Sequence, residues 1–238
     1  SKKPRAALAI VERDNKRVQL LWPETGKHAG MFGVDVLNRP YGAAFATLDG
    51  KPMLYITDTE VAPERSVHVF ELAVDGDSVS ARHVRSFGDT TGPGVIKEAE
   101  SVAIDTQEQH VLLCDEATKN VKVYGLEGRF SGKTIGDGLV EGDPEGLVIV
   151  DAKSARFVIL TDQRKTLSVW HVFDASNFKH VGSWTGAPTI ANTDGIALFP
   201  HKFEKFPHGA FFAVDDDFEI RAYRLEDVLK TLNATPRE

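Results

Sequence analysis

An internal repeat constrains the fold of this chain more than any other feature of its sequence. Each copy begins with an acidic residue and a short apolar strand, turns into a second apolar strand that ends in another acid, and continues into a third strand. Three copies occupy residues 100–124, 145–172 and 194–223. Their leading acids, Glu100, Glu145 and Asp194, are 45 and 49 residues apart.

The period of the repeat predicts a fold class. Runs of β-branched and aromatic residues between Gly, Asp and Asn turns predict strands, and a period of about 40–50 residues with four strands is typical of a β-propeller blade. Residues 41–71 form a fourth copy with a longer internal loop, and residues 6–21 form an incomplete fifth. The main alternative, a β-sandwich of similar strands, has no reason to begin each unit with an acid.

We therefore predict an all-β chain folded as one β-propeller domain over residues 1–238, with an incomplete first blade. A length of 238 residues at about 45 per blade gives five to six four-stranded antiparallel blades. Only residues 225–232 have apolar side chains at helical spacing, which predicts a short C-terminal helix.

Composition excludes several functions. The net charge is −7, and no cluster of Lys and Arg is present, which argues against binding to a nucleic acid backbone. No apolar run approaches the roughly 18 residues of a membrane helix. A single cysteine, Cys114, cannot form an intramolecular disulfide or a cysteine-based zinc site. The expected partner is a small molecule, and we expect the protein to act as a monomer.

The repeated acids are the candidate functional residues. Equivalent positions in successive blades converge around a propeller axis, and two like charges about 4 Å apart repel by roughly 4 kcal/mol at an effective dielectric of about 20. Carboxylates gathered in this way favour a bound cation, and oxygen ligands favour Ca²⁺. The alternative for each single acid is a turn or capping residue that accepts hydrogen bonds from backbone amides.

Two further expectations concern residues beside the repeated acids. Gly146 and Gly195 follow the acid in two copies, and Ser101 follows it in the third, so a small residue there lets backbone or ligand approach closely. The eight histidines lack zinc-binding spacing, and we expect His171, for example, in a surface loop or at a strand edge.

The later repeats resemble the β-propeller phytases, secreted calcium-dependent enzymes that remove phosphate from inositol hexakisphosphate. The motifs that carry the resemblance are Asp143-Pro-Glu145-Gly-Leu, Thr161-Asp-Gln163, Asn192-Thr-Asp194-Gly-Ile, Phe212-Ala-Val-Asp215, Ala99-Glu100-Ser-Val-Ala-Ile-Asp105 and Asp115-Glu116. The resemblance extends over roughly residues 5–230. It implies a phosphomonoesterase in which a calcium-bound water attacks phosphorus.

The resemblance also implies a set of site residues. Those expected to bind Ca²⁺ are Glu60, Glu100, Glu116, Asp143, Glu145, Gln163, Asp194 and Asp215. Those expected to act in catalysis are Glu60, Glu100, Glu116 and Asp194, and those expected to bind substrate phosphate are Arg13, Lys97 and Arg164. Thr59 stands where the family has a lysine, so calcium binding is better supported than phytate hydrolysis.

Two other functions stay open: a calcium-dependent lactonase or esterase on a similar propeller, and a non-catalytic binding module in which the acids only fix turns. The resemblance further implies export to the periplasm or the extracellular space. A chain that starts at Ser1 without an initiator Met is compatible with a cleaved signal peptide.

Overall fold

The computed structural model describes residues 6–236, whose strands form five antiparallel sheets, the blades of an all-β propeller. The predicted fold class, the number of blades and the short C-terminal helix are thus confirmed. Within the described residues, the first and last sheets have three strands and the other three have four. None of these residues forms a helix of the length and apolarity needed to cross a membrane.

Contacts between residues divide the chain into two compact units. The first comprises the described residues up to 113 together with residues 123–132, and the second comprises residues 114–122 and the described residues from 133 onward. Two sheets lie wholly in the first unit. Their strands are β1 (Leu8–Glu12), β2 (Arg17–Trp22) and β3 (Lys27–Phe32), and β4 (Pro40–Leu48), β5 (Lys51–Asp58), β6 (Val67–Asp75) and β7 (Ser78–Phe87).

Two further sheets lie wholly in the second unit. Their strands are β12 (Asp143–Asp151), β13 (Arg156–Gln163), β14 (Val169–Asp174) and β15 (His180–Trp184), and β16 (Ile196–Phe199), β17 (Ala210–Asp215) and β18 (Glu219–Arg224). The helix α1 (Leu225–Lys230) follows β18. The remaining sheet has the order β11-β10-β9-β8. Its strands are β8 (Ala99–Asp105), β9 (His110–Asp115), β10 (Asn120–Gly125) and β11 (Phe130–Ile135).

Strand sequence follows strand position within a sheet. The second strand β13 contains the apolar run 157–160, and consecutive residues along it are buried, so both of its faces are covered. Its two edges pair with β12 and β14. The edge strand β18 is largely exposed, and its side chains alternate between exposed and half-buried from residue 220 onward. A continuous apolar run is typical of a strand covered on both faces, and alternation is typical of one covered on one face.

An aromatic cluster forms the core of the second unit. Trp170 of β14 lies 4.3 Å from the Trp184 ring and packs edge-on against Phe211 of β17, with 5.3 Å between ring centroids. Val228 and Leu229 of α1 belong to the same buried cluster. Since the apolar residues of α1 repeat at helical spacing, they lie on one face, and this face covers the aromatic core.

Close approach of backbone to backbone explains one of the repeated glycines. At Gly146 in β12, an added Cβ would lie 2.5 Å from Ile196 Cγ1 and 3.0 Å from its backbone nitrogen. Gly42 in β4 is similarly crowded, because an added Cβ would lie 2.6 Å from the carbonyl oxygen of Glu100 in β8. At Gly195 the atom nearest to an added Cβ is 3.9 Å away, so no backbone approaches closely there.

This packing predicts the effect of a methyl group at Gly146. Gly146→Ala forces β12 away from Ile196 and is expected to lower the free energy of unfolding by about 1–3 kcal/mol. Gly182→Ala is the matched control, since an added Cβ there has no atom within 4 Å. Urea unfolding of both variants tests this, and equal midpoints would contradict the packing role of Gly146.

Candidate functional site

Three of the repeated aspartates lie at the end of the second strand of their sheet, or one residue before it, and cap the loop that leads into its first strand. Asp58 accepts hydrogen bonds from the backbone nitrogens of Asn38 at 2.7 Å and Arg39 at 2.5 Å, directly before β4. Asp162 accepts them from Gly142 at 2.7 Å and Glu141 at 3.2 Å, directly before β12.

Asp215, predicted as a calcium ligand, shows the same arrangement at the end of β17. Its Oδ1 accepts a hydrogen bond from the Ala191 nitrogen at 3.2 Å, in the loop before β16. Its Oδ2 lies 3.6 Å from Arg221 Nε. The capping alternative therefore holds for these second-strand acids, and a calcium ligand at Asp215 stays a prediction.

Each of these aspartates also faces a cationic or imidazole side chain from the third strand. His68 Nε2 lies 3.2 Å from Asp58 Oδ2, and His171 Nε2 lies 3.2 Å from Asp162 Oδ2. The expectation that His171 lies in a surface loop or at a strand edge is wrong, because it is 3% exposed in the interior strand β14. A buried carboxylate needs a charged or hydrogen-bonding partner. His171 provides a hydrogen bond to Asp162, whereas His68 lies close to Asp58 without a hydrogen bond.

Two short motifs in the sequence accompany these histidine–aspartate pairs, and the search for repeated acids did not include them. A His-Val-Phe tripeptide lies in the third strand of both sheets, at residues 68–70 and 171–173. A His-Val-x-Ser motif lies in both fourth strands, at residues 83–86 and 180–183.

The ionisation of Asp162 is strongly perturbed. Burial by itself raises the pKa of Asp162, but hydrogen bonds from His171, Arg164 and the two loop amides outweigh this and lower the pKa from 3.8 to about 2. Arg164 donates to Asp162 and to Glu141, and its own pKa is raised by the Asp162 hydrogen bond. Arg164, predicted to bind phosphate, is thus paired with two carboxylates.

A second group of polar residues surrounds Asp194. Asp143 begins β12, Gln163 ends β13, and the two residues are directly opposite each other in the sheet. Gln163 Nε2 donates a hydrogen bond of 2.5 Å to Asp194 Oδ1, in the loop before β16. Three of the predicted calcium ligands therefore lie at one end of these strands.

Neighbouring carboxylates make the site of Asp194 electronegative. Burial raises the pKa of Asp194, the Gln163 hydrogen bond lowers it, and the carboxylates of Asp217 and Asp216 raise it further. Asp216 and Asp217 form the turn between β17 and β18 with φ of 48° and 60°. Their backbone conformation is uncommon for residues other than glycine, although Asp tolerates it better than most. The turn places two carboxylates close to Asp194.

Two further predicted ligands belong to the β8–β11 sheet. Glu100 lies in β8 of the first unit and is buried, with 5% of its surface exposed. Glu116 directly follows β9, belongs to the second unit and is half-buried. Their calcium-binding role stays a prediction.

Glu145, another predicted calcium ligand of the second unit, lies at a bulge. Glu145 is buried, with 6% of its surface exposed. It lies in β12 where the register with β13 shifts between Pro144 and Leu147. A bulge changes the direction of a side chain relative to the regular strand.

Three predicted residues of the first unit lie near its surface. Arg13 is 46% exposed at its side chain, lies over the Tyr41 ring at 5.8 Å, and lines a cleft of about 430 Å³ with Tyr41 and Asp14. Glu60 forms an ion pair with Arg39. Lys97 is exposed directly before β8.

Comparison with models of known protein families and with curated proteins finds no match to this chain.

The low pKa of Asp162 predicts a pH-dependent contribution to stability. Because the folded pKa is about 2 and the ordinary value is 3.8, ionised Asp162 stabilises the fold above about pH 4, and this is lost as the pH falls through 2. The shift corresponds to roughly 2 kcal/mol.

Asp162→Asn is therefore expected to lower the free energy of unfolding more at pH 7 than at pH 2.5. Asp49→Asn, in an exposed turn, is the control. Urea unfolding at both pH values measures the two costs. An equal cost at both would show that the charge of Asp162 does not contribute to stability.

Proposed function

We propose that this protein is a calcium-dependent phosphomonoester hydrolase of the phytase type, acting on a small phosphorylated substrate. The observation that carries the proposal is the half-buried Asp194 carboxylate, which lies beside the carboxylates of Asp216 and Asp217. Burying neighbouring negative charges costs free energy unless a cation compensates for them.

The donor set fits a hard cation. Asp143, Gln163 and Asp194 offer carboxylate and amide oxygens, and the turn acids Asp216 and Asp217 add further carboxylates. Ca²⁺ takes about six to eight oxygen ligands in flexible geometry, whereas Mg²⁺ requires a stricter octahedron. These residues would hold Ca²⁺, and the ion would supply charge neutralisation for a phosphate group and activation of water.

Residues of this chain also support recognition of an anion. The exposed Arg13 guanidinium lies in a cleft beside the Tyr41 ring. Arginine binds phosphate oxygens through two parallel hydrogen bonds, and the ring holds the guanidinium plane in place. Arg13 has one carboxylate at ion-pair distance, that of Asp14 at 3.7 Å, whereas Arg164 is paired with two. The surroundings of Arg13 therefore favour it over Arg164 as the substrate-binding residue.

A second candidate function is a non-catalytic binding module. The capping roles of Asp58, Asp162 and Asp215 favour it, since they show that repeated acids in this chain serve the fold itself. In both candidates, we propose that the protein acts as a monomer in the periplasm or outside the cell. Calcium is abundant there.

A calcium titration followed by thermal unfolding tests the site. A ligand at about 100 times its Kd stabilises by about 2.7 kcal/mol, which raises the Tm of a chain of this size by roughly 5–10 °C. Asp194→Asn is expected to abolish this shift and to raise the Tm of the calcium-free protein, because the repulsion with Asp216 and Asp217 is relieved. Asp49→Asn makes the same charge change in an exposed turn and should keep the shift.

Phosphate release from phytate, measured in the same samples, tests the reaction. Release by the calcium-loaded protein that is lost in Asp194→Asn would support the hydrolase. A calcium shift without release from phytate would support the binding module, and release of acid from lactones would select the lactonase or esterase. If calcium does not raise the Tm of the unmodified protein, the proposed site is wrong.

A further inference from the structure

Two clusters of histidine and serine lie across the third and fourth strands of two sheets, apart from the acidic residues around Asp194. In the first unit, Ser86 Oγ lies 2.8 Å from His68 Nδ1 and 3.1 Å from His83 Nε2, and the two ring nitrogens are 3.4 Å apart. In the second unit, Ser183 Oγ lies 2.7 Å from His171 Nδ1 and 3.0 Å from His180 Nε2.

A β-bulge builds each cluster in the same way. His68 pairs with Ser86 and Phe70 pairs with His83, so the register between β6 and β7 shifts at Val84. Without the extra residue, His83 and Ser86 would point to opposite faces of β7, since side chains alternate along a strand. The bulge puts both on the face of His68.

The pairing of β14 with β15 repeats this register. His171 pairs with Ser183 and Phe173 pairs with His180, with the extra residue at Val181. Because the same register occurs in two sheets with the same short motifs, the local sequence sets the positions of the two imidazoles in each cluster.

The geometry points to a transition-metal site, and we propose that each cluster binds a divalent cation of the zinc class through its two imidazole nitrogens. Two Zn–N bonds of about 2.0–2.1 Å at a tetrahedral angle place the nitrogens about 3.3–3.4 Å apart. In the first unit the His68 Nδ1 to His83 Nε2 distance of 3.4 Å matches this value. The Ser86 hydroxyl, which contacts both nitrogens, would turn aside to admit the ion.

A buried carboxylate behind each cluster supports the assignment. Asp58 Oδ2 lies 3.2 Å from His68 Nε2, and Asp162 Oδ2 lies 3.2 Å from His171 Nε2. In the second unit the contact of His171 Nε2 with Asp162 is a hydrogen bond that keeps the proton on Nε2, so Nδ1 can offer its lone pair to an ion. In the first unit Asp58 lies at ion-pair distance from His68 Nε2 but does not form a hydrogen bond with it. This carboxylate–histidine–metal arrangement is general in metal sites because it fixes the ring and raises its basicity.

The remaining ligands come from the surface. His83 and His180 are exposed, while His68 and His171 are buried. Each site therefore opens to solvent, and the serine hydroxyl and water can complete the coordination. Imidazole nitrogen suits Zn²⁺, Cu²⁺ and Ni²⁺, whereas Ca²⁺ prefers oxygen, so these sites are chemically separate from the acidic one.

Isothermal titration of the chelator-treated full chain with Zn²⁺, in buffer containing Ca²⁺, tests the proposal. The expected stoichiometry is two ions per chain, falling to one in His83→Ala, to one in His180→Ala and to none in the double variant. His28→Ala removes an exposed histidine outside both clusters and should keep two. Because His83 and His180 are exposed, far-UV circular dichroism and the zinc-free Tm are expected to stay unchanged.

A second variant separates metal binding from a simple hydrogen-bond chain. Ser86→Ala breaks the chain from His83 through Ser86 to His68, but it keeps both nitrogens and should keep zinc binding. Electron paramagnetic resonance of the Cu²⁺-loaded protein should show coupling to imidazole nitrogen that is lost in the double variant. Absence of zinc binding in the unmodified chain, or unchanged stoichiometry in the double variant, would overturn the proposal.

Discussion

The hydrogen bonds of a buried aspartate near the end of the second strand hold together the β4–β7 sheet and the β12–β15 sheet. Asp58 and Asp162 bind the backbone of the loop that enters their own sheet and, at the same time, contact a histidine of the third strand. One carboxylate thus fixes the first, second and third strands relative to one another. Leaving such a buried charge without partners costs several kcal/mol, so the loop and the histidine form a unit with it.

The candidate calcium site differs from these caps in how its charge is compensated. Asp162 has donors on both oxygens, and its pKa is lowered as a result. Asp194 has one amide donor and two neighbouring carboxylates, and its pKa is raised. Asp162 and Asp194 are the same residue type and belong to the same repeat. Their neighbours give Asp162 a structural role and Asp194 a candidate binding role. Carboxylates grouped in this way destabilise the ion-free protein, and such local destabilisation is common at binding sites.

The two His-Ser-His clusters extend the same logic to the outer strands. The aspartate that caps a loop lies on one side of His68 or His171. The opposite ring nitrogen contacts a serine hydroxyl, beside a second, exposed histidine that a bulge brings to the same face of the sheet. Loop capping, ring orientation and metal binding would then share one carboxylate. The proposed metal site on the third and fourth strands would then need no buried charge beyond the capping aspartate.

The sequence by itself determined the strands, the period of the repeat and the blade number, because alternation and turn residues act locally and recur along the chain. It also placed Gln163 and Asp194 in one site, although only through a resemblance of motifs. The repeat pattern by itself treated Asp162 and Asp194 alike, as acids beside strand ends, and only the resemblance singled out Asp194 as a ligand. Only the tertiary structure decided which acid meets amides and histidine and which meets carboxylates, because the partners come from other strands and loops. The position of His171 in the interior was decided in the same way, by the carboxylate that it pairs with.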